Sequence, residues 1–135
     1  MGRDDTTEAI EKIGKYKHRA EKLFENAKIF LDKGEYEKTG EFLWGALAAY
    51  INAIVFLRTG EAKYSHNKLV TAGENIAKAT KDADLLKAIR QTGQKLHANY
   101  YHGFLILEDF KDMFPEIEKA IEKLDNILFN ELKIN

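Results

Sequence analysis

Residues 42–57, FLWGALAAYINAIVFL, are apolar on nearly every side of the helix that they would form. A surface helix of a soluble protein has an apolar stripe on one face, whereas a helix that is apolar all round has to be covered by other elements. Gly45 and the alanines of this stretch would let neighbouring helices approach closely. The sequence therefore predicts a central helix over residues 36–58, covered by several other helices or by a second copy of the chain.

Amphipathic patterns on both sides of this stretch predict the surrounding helices. The first should cover about residues 5–33 and end at Gly34, and the short break after it makes the first two helices an antiparallel hairpin. Ser65 is a good N-cap for a third helix, and Asp82 for a fourth that ends at Gly103. The sequence thus predicts helices on both sides of the central one.

The remaining segment predicts a last helix that begins near Asp112 and has Pro115 in its first turn, where the missing N–H of proline costs nothing. This is the only proline in the chain, and the helix-forming residue types are abundant. A chain of 135 residues can bury one core. We therefore expect one all-α domain over residues 1–135, an up-and-down bundle of four to five helices.

The charged residues nearly balance, with 21 Lys and Arg against 22 Asp and Glu, for a net charge of −1. A protein that binds nucleic acid through its whole surface is usually basic, so any nucleic-acid role has to depend on a local site. The basic run at residues 15–22 has acidic neighbours, and we interpret it as a solvated helix face. The absence of cysteine excludes disulfides and thiolate metal sites.

The first residues, MGRDDTTEAIEK, are polar and acidic, unlike a signal peptide. No apolar run approaches the ~18 residues that a membrane span needs. We therefore expect a cytoplasmic protein that does not enter the membrane.

The four histidines do not have the spacing of a metal site. A di-iron bundle needs Glu three residues before a histidine, but a lysine or an amide residue stands at that position in every case. His66, in the first turn of the third helix, is interpreted as a surface imidazole. We expect neither a metal nor another cofactor.

One pair of residues is a candidate for chemistry, in the segment LLKAIRQTGQKLHANYYHGF at residues 85–104. Arg90 and His97 would project within about 20° of each other from an uninterrupted α-helix. A fixed cation and a titratable group at the edge of a buried face could act together on one phosphate. Periodicity alone also allows a boundary arginine and a packed histidine without any chemistry.

A family resemblance favours the chemical interpretation. The Arg-x6-His pair, on the penultimate helix of a short helical chain, resembles the Arg-x4–6-His motif of the HEPN superfamily. KTGEFLWGALAAYINAI at residues 38–54, KLHANYYHG at 95–103 and SHNKL at 65–69 resemble an archaeal branch of that superfamily, the PaREP-type proteins. The resemblance spans about residues 16–128.

This resemblance implies a homodimeric HEPN-like bundle in which the motif helices meet at the two-fold axis. It also implies a metal-independent ribonuclease with Arg90 and His97 as catalytic residues. The 2′-hydroxyl of RNA would attack the adjacent phosphate, while an imidazole of pKa near 6.5 transfers protons and a guanidinium stabilises negative charge. In a dimer, one histidine could act as the base and another as the acid. Asn99 and Tyr101 are candidates for binding the substrate, through a backbone phosphate and a base respectively.

Two alternatives stay open. Some members of the superfamily are regarded as inactive RNA- or nucleotide-binding modules, and Gln91 stands where active members usually have a short polar residue. A purely structural adaptor would use the apolar central helix for assembly and leave Arg90 and His97 bonded into the fold. The resemblance also implies a toxin–antitoxin context, with an antitoxin-like nucleotidyltransferase as the partner protein.

Overall fold

A computed structural model describes residues 2–63 and 65–134, except for the side chains of residues 2–6, 100, 101 and 134. The described part consists of helices and their connections. The helices are α1 (Gly2–Asp32), α2 (Tyr36–Thr59), α3 (His66–Ala79), α4 (residues 83–102) and α5 (Leu107–Ile134). The all-α class and the number of helices expected from the sequence are confirmed.

The central helix is α2, as its composition predicted. Side chains on most of its faces are buried, and Leu43, Leu47, Ile51 and Ile54 expose no surface at all. By length and composition alone α2 could cross a membrane, but 67% of its apolar window is buried inside the bundle. The apolar character of α2 is therefore that of a core helix.

The helices α1 and α5 pack on α2. The direction of α1 is opposite to that of α2, because Phe30 packs on Phe42 and Tyr16 on Phe56. Gly34, with a φ of +74°, makes the tight turn between them. The direction of α5 is the same as that of α2. The hairpin predicted from the short break after α1 is confirmed.

The direction of α3 corrects the expectation of a simple up-and-down bundle. Trp44 of α2 contacts His66 at the start of α3. Two turns further along both helices, Ile51 packs against Gly73. Consecutive contacts therefore proceed in the same direction, so α3 is parallel to α2. The helices α1, α2, α4 and α5 alternate in direction, as in an up-and-down bundle, and α3 does not follow this alternation.

A polar side chain explains why the connection before α3 runs back along α2. Asn52 is almost fully buried, and its amide donates to the carbonyl of Lys63 at 2.8 Å. The same side chain accepts from the N–H of Lys63, also at 2.8 Å. The connection is not part of a helix, so the N–H and C=O of Lys63 have no helical partners, and the Asn52 side chain supplies these hydrogen bonds instead. Asn52 thus holds the connection at Lys63 against α2, shortly before α3 begins.

The predicted helix ends near the connections are confirmed. The side chain of Ser65 accepts from the N–H of Lys68 at the start of α3. The carboxylate of Asp82 accepts from the N–H of Leu85 at the start of α4. Gly103 ends α4 with a φ of +59°. Local sequence chemistry therefore fixes both ends of α4.

A π-helical turn interrupts α4. Residues Ala83–Lys87 are α-helical, Ala88–Thr92 form the π turn, and Gly93–His102 are α-helical again. A π turn closes over one more residue than an α turn, so side chains after it are rotated relative to those before it. The expected uninterrupted α-helix from Arg90 to His97 is therefore wrong.

Glycines bring α2 and α4 into close contact. A Cβ atom at Gly93 would lie 2.9 Å from Cζ3 of Trp44. At Gly40, on the other helix, a Cβ atom would lie 3.1 Å from the carbonyl oxygen of Leu96. Side chains at these two positions would force the helices apart. The separation of α2 and α4, and with it the position of Trp44, depends on the absence of a Cβ.

The last helix begins earlier than expected. It starts at Leu107 instead of near Asp112, so Pro115 lies in the helix interior and not in the first turn. The carboxylate of Asp109 accepts from the N–H of Ile106 at 2.9 Å, and acidic residues in a first turn are favoured by the helix dipole. These acidic residues define the true N-terminus, and the helix continues through Pro115 with one hydrogen bond fewer.

Candidate functional site

The two residues predicted as catalytic contact α3 at different places. Arg90 donates from Nε to a carboxylate oxygen of Glu74 at 2.5 Å, and 46% of its side chain is exposed. His97 contacts His66, at the beginning of α3. The distance along α4 from Arg90 to His97 is about 10 Å at 1.5 Å per residue. Both residues thus lie on the side of α4 that faces α3, roughly two turns apart.

Two imidazole rings stack in this region. The rings of His66 and His97 have centroids 4.0 Å apart and planes 13° apart. The indole of Trp44 packs against both, with centroids 4.8 Å from His66 and 6.2 Å from His97. Trp44 is 4% exposed, whereas 27% of the His97 side chain is exposed. The two imidazoles therefore pack on the indole of Trp44 at the edge of the core.

Glu41 adds a carboxylate to the same cluster. Its Oε2 atom lies 4.0 Å from Nδ1 of His97. Burial raises the pKa of Glu41 above its usual value, and the neighbouring His97 opposes part of that increase. A carboxylate at this distance attracts a protonated imidazole.

The environment of His66 favours the uncharged ring. Its Nδ1 atom is buried and has no hydrogen-bond partner among the described residues. Burial, and secondly the proximity of His97, lower the pKa of His66 below 6.5, while Gln94 opposes part of that decrease. Protonating both stacked rings at once would place two like charges in contact. The stacking therefore disfavours protonation of both rings together.

The interpretation of His66 as a surface imidazole is wrong, because its ring is packed between Trp44 and His97. Helix patterns in the sequence do not reveal this packing, because the contact depends on the course of the connection before α3. One signal was present in the sequence. The segment SHNKL at residues 65–69 places this histidine directly after the N-cap Ser65, which holds the first turn of α3 in a defined orientation.

The two residues predicted to bind substrate are placed differently. Asn99 is fully buried, donates to the carbonyl of Tyr36 at 3.3 Å and accepts from the N–H of Leu105 at 2.7 Å. It joins the end of α4 to the beginning of α2 and to the connection after α4, so we leave it out of the site. The side chain of Tyr101 lies outside the described residues, and its role in stacking stays a prediction.

Comparison with known proteins identifies the family. Neither a curated protein nor a solved structure matches the chain significantly. The sequence model of the archaeal PaREP1/PaREP8 family matches residues 15–121, a range that includes Glu41, His66 and His97. The chain therefore belongs to the archaeal PaREP1/PaREP8 family, in agreement with the segments that resembled PaREP-type proteins.

Proposed function

We propose that the protein is a metal-independent endoribonuclease of the HEPN type, in which His97 transfers protons and Arg90 binds phosphate. The observation that carries this proposal is the position of the His97 ring, partly exposed at the edge of the core and 4.0 Å from the carboxylate of Glu41. A general acid or base has to be reachable by substrate and held in place, and imidazole changes its charge near neutral pH. The environment of His97 meets both requirements.

The proposed reaction uses a nucleophile that RNA itself supplies. The 2′-hydroxyl loses its proton to a base, and its oxygen bonds to the adjacent phosphorus. The bond between phosphorus and the 5′-oxygen then breaks, and that oxygen takes a proton from an acid. The products are a 2′,3′-cyclic phosphate and a 5′-hydroxyl. Imidazoles can carry both protons, so this reaction does not need a metal-bound water.

Arg90 is proposed to hold a phosphate of the same RNA strand. A guanidinium has five N–H donors, and Glu74 accepts from the one on Nε. The exposed part of the side chain leaves room for a phosphate, whose charge a guanidinium binds well. Arg90 lies about 10 Å along α4 from His97. Within one chain, Arg90 would therefore bind a phosphate adjacent to the one at which the RNA is cleaved.

A second candidate function is binding of RNA or a nucleotide without cleavage. The position of Arg90 favours this alternative, because a guanidinium about 10 Å along α4 from His97 binds a phosphate without stabilising charge at the scissile one. A bound phosphate would then share Arg90 with Glu74. The same experiment separates the two functions.

The test is incubation of the protein with mixed RNA in excess EDTA. We expect cleavage by the wild type, a rate lower by on the order of 10²–10⁴ in His97→Ala, and a smaller loss in Arg90→Ala. His102→Ala is the matched control, because this histidine is exposed near the end of α4. A folded His97→Ala protein with the wild-type rate would contradict the proposal. No cleavage by the wild type, with RNA binding that depends on Arg90, would support the second candidate.

A further inference from the structure

We propose that His66 is the second proton-transfer residue of this site, so that one chain carries both the general base and the general acid. This inference rests on the proposed ribonuclease function and adds a residue that the Arg-x6-His motif does not contain. The motif supplies one histidine per chain, so a second imidazole would otherwise have to come from another chain. The structure offers it within the same chain.

The geometry of the pair fits the two oxygens that exchange protons. The rings of His66 and His97 are nearly parallel, 4.0 Å apart, and so present their edges side by side. The attacking 2′-oxygen and the leaving 5′-oxygen are bonded to the same phosphorus during the reaction, a few ångströms from each other. A phosphate above the ring edges would therefore have one imidazole near each oxygen.

The surroundings assign a different role to each ring. Among the described residues, Glu41 from α2 is the charged group that contacts the pair, and the uncharged neighbours are Trp44 and Gln94. His66 is the neutral ring and acts as the base. His97, whose Nδ1 atom lies 4.0 Å from Oε2 of Glu41, acts as the acid.

The proton count balances over one turnover. His66 gains the proton of the 2′-hydroxyl, and His97 gives a proton to the 5′-oxygen. The number of protons on the pair is the same before and after the reaction. The proton is on His97 before it and on His66 after it. Exchange with water restores the starting state. The carboxylate of Glu41, 4.0 Å from Nδ1 of His97, favours the charged form of His97 before the transfer.

A purely structural stack of rings is the competing explanation, and one substitution separates the two. His66→Phe keeps a flat ring against Trp44 and His97 but cannot carry a proton. If His66 acts only by packing, Phe preserves cleavage and Ala impairs it. If His66 is the base, Phe and Ala are impaired alike. His18→Phe, at an exposed position of α1, is the control for a new surface aromatic.

The experiment measures RNA cleavage against pH in EDTA for wild type, His66→Phe and His66→Ala, with folding checked by circular dichroism. We expect a bell-shaped profile for the wild type, and rates lower by on the order of 10²–10⁴ for both variants, with the acidic limb lost.

The outcomes distinguish this inference from the proposed function. If wild type and His66→Phe cleave equally, with the same bell-shaped profile, the inference is overturned and the ribonuclease function stands on His97. If the wild type does not cleave, both fall. If a mixture of His66→Phe and His97→Ala chains recovers activity, the two histidines act from different chains, and the inference of a complete pair within one chain is wrong.

Discussion

The imidazole of His66 lies parallel to that of His97 at 4.0 Å, although the two residues belong to different helices. Their contact depends on α3 being parallel to α2, because only then does the first turn of α3 reach Trp44 in the middle of α2. Asn52 holds the connection that leads into α3 by two hydrogen bonds to the backbone of Lys63. A buried amide on the core helix thus supports the candidate site from a distance.

Replacing Asn52 tests this support. Asn52→Ala removes both hydrogen bonds to the backbone of Lys63 and leaves its N–H and C=O without these partners, so we expect a loss of about 1–3 kcal/mol in the free energy of unfolding. Urea unfolding measures it. Asn67→Ala, at an exposed position of α3, should change stability by less than about 0.5 kcal/mol. Equal effects of the two substitutions would show that Asn52 does not hold the connection.

Two glycine substitutions should have opposite signs. Gly93→Ala places a Cβ 2.9 Å from Cζ3 of Trp44, so α4 and α2 have to separate, and we expect about 1–3 kcal/mol of destabilisation. Gly14→Ala meets no atom within 4 Å in α1 and should stabilise the protein by up to about 1 kcal/mol through helix propensity. Thermal unfolding of both variants checks this. A neutral or stabilising Gly93→Ala would contradict the close packing of α2 and α4.

The N-cap of α4 should make stability depend on pH. The N–H of Leu85, and secondly Lys123, hold the pKa of Asp82 below its usual value. A carboxyl group with a lowered pKa in the folded state stabilises the fold above its unfolded pKa of about 3.9. That stabilisation is lost as the pH falls through the lower, folded pKa.

The comparison of wild type with Asp82→Asn isolates this effect. Asparagine also caps a helix but does not ionise, so it loses the charge interaction with Lys123 and keeps the cap. Wild type should be the more stable protein at pH 7, and the difference should shrink below about pH 4. Urea unfolding at both pH values measures it. If wild type and Asp82→Asn differ in stability by the same amount at both pH values, the charge of Asp82 does not have this role.

We expect a homodimer whose interface includes α4. Directly after α4, the side chains of Phe104, Ile106 and Leu107 are 51%, 57% and 44% exposed, and a second chain would cover them. Light scattering at micromolar concentration should give the mass of a dimer. The double substitution Phe104→Glu and Ile106→Glu should give a monomer.

The control for the dimer is Phe129→Glu. Phe129 is 58% exposed on α5, so it tests whether any charge at an exposed aromatic position dissociates the chains. We expect this variant to stay dimeric. A monomeric wild type would contradict the expectation, and so would dissociation of the dimer by both variants alike.

The sequence predicted the elements of the fold well, because their signals are local. The all-round apolar pattern of α2 and the caps Ser65 and Asp82 depend on residues next to each other in the chain. The predicted start of α5 is wrong, because the helix begins before Pro115, where the carboxylate of Asp109 accepts from the N–H of Ile106. Whether a helix tolerates an internal proline depends on its tertiary packing, which the helix propensities of the residues do not reveal.

The candidate site was less accessible to prediction, because it depends on contacts between distant segments. The π turn at Ala88–Thr92 changes the rotation between Arg90 and His97, and periodicity assumes a constant rotation. The stack of His66 on His97 depends on the direction of α3, which the helix pattern does not contain. Asn99 was a polar residue on a helix, and only the packing shows that it is buried.

The most direct test of the account is the chemistry of the cut ends. An RNA oligonucleotide that the wild type cleaves in EDTA is compared with the same oligonucleotide lacking the 2′-hydroxyl at the cleaved nucleotide, and the product ends are identified by mass spectrometry. The account predicts a 2′,3′-cyclic phosphate and a 5′-hydroxyl from the first, and no cleavage at that position in the second. A 3′-hydroxyl with a 5′-phosphate, or cleavage without the 2′-hydroxyl, would contradict proton transfer to and from the RNA by the imidazoles of this site.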